Sequence, residues 1–187
     1  MRILFHTCCS PCACYPVAEL QKLGFEVTIF YYNPNIWPVE EYQARLMELK
    51  KYLAALPAVK IIEGDYENTK WLEAVRGLEK ELERGKRCDI CYKLRLERTA
   101  RLAAELKYEY FGSSLSISPH KKAEKISQQG QTLAKKYGLE FLDRDWKKLG
   151  GFQAACQIAK ERNFYRQNYC GCAFSVRTQK TNNKIQE

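Results

Sequence analysis

The feature that most limits the fold is an alternation of short apolar runs with longer amphipathic stretches, which continues along almost the whole chain. The short runs are rich in β-branched and aromatic residues and predict strands over Arg2 to His6, Phe25 to Tyr32, Val59 to Ile62, Tyr108 to Phe111 and Phe141 to Leu142. Between them, apolar residues at helical spacing predict helices around Tyr15 to Gly24 and over Pro38 to Ala55, Trp71 to Leu82, Ile90 to Leu106, Lys121 to Tyr137 and Phe152 to Arg162. This order predicts an α/β fold, a mostly parallel sheet with helices on both faces.

The length of the chain favours a single domain. Its 187 residues are enough for one buried core, and no low-complexity linker or internal repeat divides them. We therefore predict one α/β domain over residues 1–179, followed by a polar tail over residues 180–187.

Charge and hydropathy indicate which partners and which cellular compartment to expect. The chain has 31 Lys and Arg against 22 Asp and Glu, a formal net charge of +9 that suits a polyanion such as nucleic acid, although a solvated basic surface would look the same. The N-terminus has no apolar run long enough for a signal peptide, and no stretch approaches the roughly 18 apolar residues of a membrane helix. We expect a soluble cytoplasmic protein without a membrane partner.

Nine cysteines are many for a chain expected in a reducing compartment, where thiols are more often metal ligands or catalytic groups than disulfides. Six of them form three close pairs, which are Cys8 and Cys9, Cys88 and Cys91, and Cys170 and Cys172. Cys12 follows the first pair closely enough to join it if a helix begins nearby. The remaining two, Cys14 and Cys156, lie among apolar residues of predicted helices, and we interpret both as core residues.

The local context of each pair suits metal binding. Cys8 and Cys9 follow a strand, where a turn lets both sulfurs face one cavity. Cys88 and Cys91 stand near a helix N-terminus, where the helix dipole is expected to lower thiol pKa values. Gly171 lets the backbone bend so that Cys170 and Cys172 reach one site.

The number of cysteines exceeds the four thiolates of one structural zinc or one cubane cluster. Either two metal centres share them, or some act as redox thiols. Sulfur donors favour iron–sulfur chemistry or zinc over magnesium or calcium. Spacing alone does not choose between iron and zinc, nor does it divide the sulfurs between two centres.

Polar segments lie at other predicted strand ends, where ligands bind in parallel α/β sheets. Asn33 and Asn35 follow the second strand, and a hydroxyl-rich loop from Ser113 to His120 follows the Tyr108 strand. The segment from Asn163 to Tyr169 mixes aromatic, amide and cationic side chains, as suits stacking on bases and contacts to phosphate. His6, inside the first strand, is more simply explained as a buried, hydrogen-bonded imidazole than as a ligand.

Six segments, in order along nearly the whole chain, resemble those of the QueH-type epoxyqueuosine reductases. They are His6-Thr7-Cys8-Cys9-Ser10-Pro11-Cys12, Tyr32-Asn33-Pro34-Asn35-Ile36, Glu63-Gly64-Asp65-Tyr66, Arg87-Cys88 with Cys91, Leu115-Ser116-Ile117-Ser118-Pro119-His120-Lys121, and Tyr165-Arg166-Gln167-Asn168-Tyr169-Cys170-Gly171-Cys172. Six such blocks in this order are not a product of chance.

The resemblance implies an enzyme that reduces epoxyqueuosine at the wobble position of tRNA to queuosine. It also implies a 4Fe-4S cluster beside a mononuclear iron, no cobalamin, an electron donor that the sequence does not identify, and a Rossmann-like sheet of the HUP group. The pyrophosphate loop of that group, Ser-Gly-Gly-x-Asp-Ser, does not occur in the sequence, so we expect no ATP hydrolysis.

On this reading the candidate site residues fall into three sets. The metal ligands are Cys8, Cys9, Cys12, Cys88, Cys91, Cys170 and Cys172. The candidate proton donors are His120 and Tyr169. The candidate substrate-binding residues are Asn33, Asn35, Ser116, Ser118, Lys121 and Arg166.

Two alternatives are compatible with the same residues. A zinc-stabilised tRNA-binding module without catalysis also explains the cysteine pairs and the basic charge. A thiol–disulfide oxidoreductase working through Cys88 and Cys91 explains the Cys-x-x-Cys pair and predicts activity that does not depend on metal.

Overall fold

The computed structural model describes residues 1–167 and 169–175. The predicted polar tail over residues 180–187 lies outside the described residues. Five strands form one sheet, namely β1 (Arg2–His6), β2 (Glu26–Tyr31), β3 (Lys60–Glu63), β4 (Tyr110–Ser113) and β5 (Glu140–Phe141). Within the described residues, six α-helices connect or follow the strands, namely α1 (Ser10–Lys22), α2 (Val39–Ala54), α3 (Asn68–Ala74), α4 (Lys86–Glu105), α5 (Ala123–Tyr137) and α6 (Gly151–Glu161).

The sheet has the strand order β3-β2-β1-β4-β5, and each neighbouring pair is parallel. β1 is therefore central, with Ile3 beside Val27 on one side and Tyr110 on the other. The chain leaves β1 toward β2 on one side and later returns to β4 on the other side. This reversal is the point at which parallel α/β sheets open a crevice beyond the carboxyl ends of their strands.

Helices cover both faces of the sheet, as the sequence predicts. Alternate side chains of the strands point to opposite faces, so Ile3 and Phe5 pack with α1, α2 and α6, whereas Leu4 packs with α4 and α5. The predicted α/β class, with a parallel sheet and helices on both sides, is thus confirmed.

Three predicted helix boundaries are wrong by more than a turn. The helix predicted from about Tyr15 begins at Ser10. The helix predicted over Trp71 to Leu82 ends at Ala74, and Gly77 then adopts a left-handed φ of 82° in an irregular segment. The helix predicted from Ile90 begins at Lys86, with Gly85 as its N-cap. Burial of the Arg87 side chain explains the differences in α3 and α4, because its Nη1 donates to the carbonyls of Leu78, Glu79 and Glu81 and holds the irregular segment against the start of α4.

Candidate metal centre and substrate cavity

The first cysteine group lies at the switch point of the sheet. β1 ends at His6, and α1 begins at Ser10 with Cys9 as its N-cap. Because the helix starts this early, Cys12 falls in its first turn beside Cys8 and Cys9. The three sulfurs lie within 4.8 Å of one another, and those of Cys8 and Cys9 are 3.8 Å apart. This cysteine triad, Cys8, Cys9 and Cys12, has the geometry to hold one metal ion.

The second group joins two distant parts of the sequence. Cys88 and Cys91 lie in the first two turns of α4, and Cys170 and Cys172 lie on the C-terminal segment that packs against them. All four line one small cavity. Its apolar wall includes the buried ring of Trp71, which stacks at an angle on Phe174. We call these four residues the cysteine tetrad.

Hydrogen bonds between thiols of the same group shift their pKa values. Hydrogen bonds from Cys12 and Cys9 hold the pKa of Cys8 well below its usual value. The bond to Cys12 lowers the pKa of Cys9, but the bond to Cys8 and burial raise it further, to about 12. In the tetrad, the bond from Cys172 likewise lowers the pKa of Cys170. A cation bound by either group would displace protons from its thiols.

Cys88 and Cys91 differ from the sequence-based expectation. Their position at the start of α4 predicts lowered pKa values, but burial raises the pKa of both thiols. Desolvation of the thiolate outweighs the helix dipole here. This is unfavourable for an attacking redox thiol, and metal coordination is the chemistry that still deprotonates such a cysteine.

Three cations lie around the sulfurs, and two of them, Arg45 and Arg95, were not among the residues predicted from the sequence. Arg45 of α2 and Arg95 of α4 are buried, and Lys121 is half-buried at the edge of both cavities. The thiolate of Cys8 raises the pKa of Lys121 despite the opposing effect of burial. A signal for the arginines was present, because each falls on the apolar face of an amphipathic helix, where a lone cation needs a buried anionic partner.

A larger cavity of about 550 Å³ opens beside the triad. Cys8 and Cys12 line it on one side, and Cys170 of the tetrad lines it on another. Lys121 and Cys170 belong to the walls of both this cavity and the small one. Its volume suits a nucleoside-sized ligand, since ligand pockets commonly measure about 300–1,000 Å³.

Besides cysteines of the triad and the tetrad, five of the predicted site residues line the large cavity, namely Ser118, His120, Lys121, Arg166 and Tyr169. His120 is exposed at its rim. The hydroxyl of Tyr169 donates to the carbonyl of Trp37 at 2.8 Å. Three predicted substrate-binding residues are not brought there, and their role stays a prediction. Asn33 and Asn35 are buried, and the Ser116 hydroxyl donates to the carbonyl of Arg144.

The sequence also predicts buried core positions for Cys14, Cys156 and His6, and the structure confirms two of the three. Cys14 is buried in the core, as predicted. The core prediction for Cys156 is wrong, because it is half-buried in the wall of the large cavity, 3.7 Å from Nη2 of Arg166. The prediction for His6 is confirmed, since its ring is buried between Ser113 and the carbonyl of Tyr32. Burial, together with the charge of Arg95, lowers the pKa of His6 to about 3, so the imidazole is neutral.

The donor set fits metal binding. All nine cysteines lie in the described part of the chain, and none forms a disulfide there. Six of the seven predicted ligands line two adjoining cavities that also contain cations, and Cys9 lies beside Cys8 and Cys12 in the triad. Soft anionic sulfur donors suit iron or zinc, and the seven are divided spatially into a group of three and a group of four.

Comparison with known proteins shows the family of the chain. The sequence model of the family described as "Epoxyqueuosine reductase QueH" matches residues 3–178. The chain is 39% identical to the epoxyqueuosine reductase QueH of Acinetobacter baylyi over 177 residues, which cover 94% of this chain and 81% of that protein. It is 37% identical to the protein of that name from Streptococcus pyogenes (95% of this chain, 71% of that protein), and 36% identical to the one from Thermotoga maritima (93% and 90%).

Among solved structures, a predicted subunit of tRNA methyltransferase from Methanocaldococcus jannaschii is similar in fold. The TM-score is 0.55 at 16% identity, over 86% of this chain and 74% of that one. This likeness supports the fold alone. The match over nearly the whole sequence, together with the cysteines at the sheet switch point, shows that the chain belongs to the QueH epoxyqueuosine reductase family.

Proposed function

We propose that this chain reduces epoxyqueuosine in tRNA to queuosine, using iron held by its seven clustered cysteines. The observation that carries the proposal is that the triad and the tetrad both contribute to the wall of one nucleoside-sized cavity. We expect the enzyme to act in the reducing cytoplasm, where free thiols persist. Within the described residues, no helix has the length and apolar character to cross a membrane.

We assign the metal centres by the grouping of the sulfurs. The triad would hold the mononuclear iron, and the tetrad would hold the 4Fe-4S cluster, whose ligands are typically four cysteines. When bound, the mononuclear iron supplies a Lewis acid for the epoxide oxygen and the cluster supplies electrons singly. We also propose that the enzyme works without cobalamin, as the resemblance to the family implies.

The reaction breaks both C–O bonds of the epoxide and forms a C=C bond. It consumes two electrons and two protons and releases the oxygen as water. The half-buried ammonium of Lys121 lines the cavity and would stabilise the negative charge that develops on the oxygen. We propose a ring nitrogen of His120, at the cavity rim, as the source of a proton.

Substrate binding is proposed to combine the cavity with the basic surface. The wobble base lies in a single-stranded loop, so it can leave the stack and enter a pocket at low cost. Ser118, Lys121 and Arg166 present hydrogen-bond donors in the cavity wall. The net charge of +9 would attract the tRNA backbone.

The test is anaerobic turnover of tRNA that carries epoxyqueuosine. Iron-reconstituted protein is incubated with this tRNA and a low-potential one-electron reductant, without cobalamin, and the nucleosides are analysed after digestion. We expect queuosine to replace epoxyqueuosine. If iron-loaded protein with intact acid-labile sulfide yields no queuosine, the proposed function is wrong.

Zinc-loaded protein separates the rival functions. A tRNA-binding module predicts equal tRNA affinity for the zinc and iron forms and no turnover by either. A thiol–disulfide oxidoreductase predicts turnover that survives chelation of the metal. The proposed function requires turnover by the iron form alone.

The proton donor is tested with His120→Gln and Tyr169→Phe. We expect His120→Gln to slow the single-turnover rate by about 10²-fold, as is typical for loss of a general acid. Tyr169→Phe should have a smaller effect, because the Tyr169 hydroxyl already donates to the carbonyl of Trp37. A double variant with undiminished turnover would remove both residues from the mechanism.

A further inference from the structure

Arg45 is a buried cation whose hydrogen bonding is incomplete. Arg45 lies on the buried face of α2 and is only 1% exposed to solvent. Nε donates to Oε1 of Glu41 at 2.7 Å, and Nη1 lies 3.4 Å from the carbonyl oxygen of Cys170. Nη2 has no hydrogen-bond partner among the described residues. A buried guanidinium with a free donor normally faces an anion, because an unpaired buried charge is costly.

The position of the guanidinium shows where that anion would lie. A Cβ atom added to Gly171 would be 3.1 Å from Nη1 and 3.2 Å from Nη2, so the guanidinium lies directly against the loop between Cys170 and Cys172. Arg45 also lines the large cavity together with Cys8 and Cys12. It therefore stands between the triad and the tetrad.

The charges around Arg45 agree with this position. Burial alone would lower its pKa, but the thiolates of Cys9 and Cys8 and the carboxylate of Glu41 raise the pKa above its ordinary value. Glu41 is itself held by the hydroxyl of Tyr165, which donates to Oε2 at 2.7 Å. The Glu41 and Arg45 pair is thus oriented from both sides.

We propose that Arg45 is a positioning residue for the metal chemistry, which fixes the Cys170 to Cys172 loop beside the triad and favours the reduced form of the tetrad-bound cluster. This inference rests on the proposed function. Four thiolates around a 4Fe-4S core leave a negative charge, which grows when the cluster accepts an electron. A fixed buried cation stabilises the more negative state, and the free Nη2 offers a hydrogen bond to sulfur.

The charge effect predicts shifts of opposite sign in two variants. Arg45→Met removes the cation, so the midpoint potential of the cluster should become more negative. At a fixed applied potential we expect the ratio of reduced to oxidised cluster to fall about tenfold, which is about 59 mV for one electron. Glu41→Gln removes the opposing carboxylate with little change of shape, and this ratio should rise severalfold.

The experiment is a spectroscopically monitored redox titration of reconstituted protein, with iron and sulfide content measured on each sample. Arg98→Met is the matched control, because it removes the same charge from α4, where the side chain packs over Phe30 and lines neither the large nor the small cavity. We expect its potential and metal content to equal those of the original chain. Arg45→Lys keeps the charge, and its potential should stay close to the original.

The results separate this inference from the proposed function. If the original chain takes up iron and sulfide and produces queuosine, but the Arg45→Met and Glu41→Gln potentials do not move in opposite directions, the role of Arg45 is wrong and the function stands. If the original chain takes up no iron, the function itself fails. If Arg45→Met does not fold, the midpoint potentials of Glu41→Gln and Arg45→Lys test the role of Arg45. An unchanged potential in Glu41→Gln overturns the inference.

Discussion

His6 and Ser113 face each other across the two central strands, and Nδ1 of His6 lies 2.9 Å from the Ser113 hydroxyl. Nε2 of the same ring lies 3.1 Å from the carbonyl oxygen of Tyr32. The ring thus connects the ends of β1, β2 and β4 immediately before the triad begins. A fully buried side chain with two such contacts fixes the strand ends from which the site is built.

Loss of this ring should destabilise the fold more than loss of the serine hydroxyl. For His6→Ala we expect the free energy of unfolding to fall by about 2–4 kcal/mol, because a cavity forms and the Ser113 hydroxyl and Tyr32 carbonyl both lose a partner. Ser113→Ala should cost about 1 kcal/mol. Urea denaturation of the metal-free protein measures both, and equal costs would contradict the connecting role of the ring.

The division of sulfurs predicts different metal losses from two serine variants. Cys12→Ser should lose about one iron per chain and keep its acid-labile sulfide, whereas Cys91→Ser should lose the sulfide, because a cubane cluster needs four ligands. Cys14→Ser is the control, since Cys14 is buried but faces the carbonyls of Pro11 and Ala155. Loss of sulfide from Cys12→Ser, with Cys91→Ser unaffected, would reverse the assignment.

Gly171→Ala should disturb the tetrad without unfolding the chain. Gly171 has a φ of 98°, and its added Cβ would be 3.0 Å from Ile36 and 3.1 Å from Arg45. We expect reduced cluster content and at least tenfold slower turnover, measured as sulfide per chain and single-turnover rate.

Gly24→Ala is the matched control for this substitution. Gly24 also has a left-handed φ, of 79°, but nothing lies within 4 Å of an added Cβ. Its variant should show only the backbone cost, about 1–2 kcal/mol, with normal cluster content. Similar cluster contents in the two variants would show that crowding at Arg45 is unimportant.

Arg87 should matter for the segment before α4. Its side chain is 3% exposed, and Nη1 donates to three carbonyls of residues 78–81. Arg87→Ala should therefore speed hydrogen exchange over residues 75–85 and lower the free energy of unfolding by about 2–3 kcal/mol. Lys86 is exposed, and Lys86→Ala should change the free energy of unfolding by less than about 0.5 kcal/mol. Unchanged exchange in Arg87→Ala would contradict this anchoring.

Adjacent lysines should differ sharply in catalysis. Lys121 lines both cavities, whereas Lys122 is exposed. We expect Lys121→Met to lower the single-turnover rate by about 10²-fold, because a preorganised charge near the reacting oxygen is lost. Lys122→Met should affect mainly the binding of tRNA and its salt dependence. Equal rate losses in the two variants would place the effect in tRNA binding instead.

The sequence by itself determined the α/β class and the cysteine pairs. Strand and helix periodicities are local properties, so the order of elements followed from them, and most predicted boundaries lie within two residues of those observed. Close pairs such as Cys170 and Cys172 were visible for the same reason. The predicted end of α3 is wrong, because the end of this helix depends on Arg87, whose three acceptors are set by tertiary packing.

Only the tertiary structure grouped the sulfurs and found the charges around them. The triad is local, but the tetrad joins Cys91 to Cys172 across many residues, and spacing along the chain cannot show that approach. Arg45 likewise reaches Cys170 from a helix far away in sequence. Sequence patterns depend on residues that are close along the chain. The electrostatic environment of a metal site depends on every charge that the fold brings close in space.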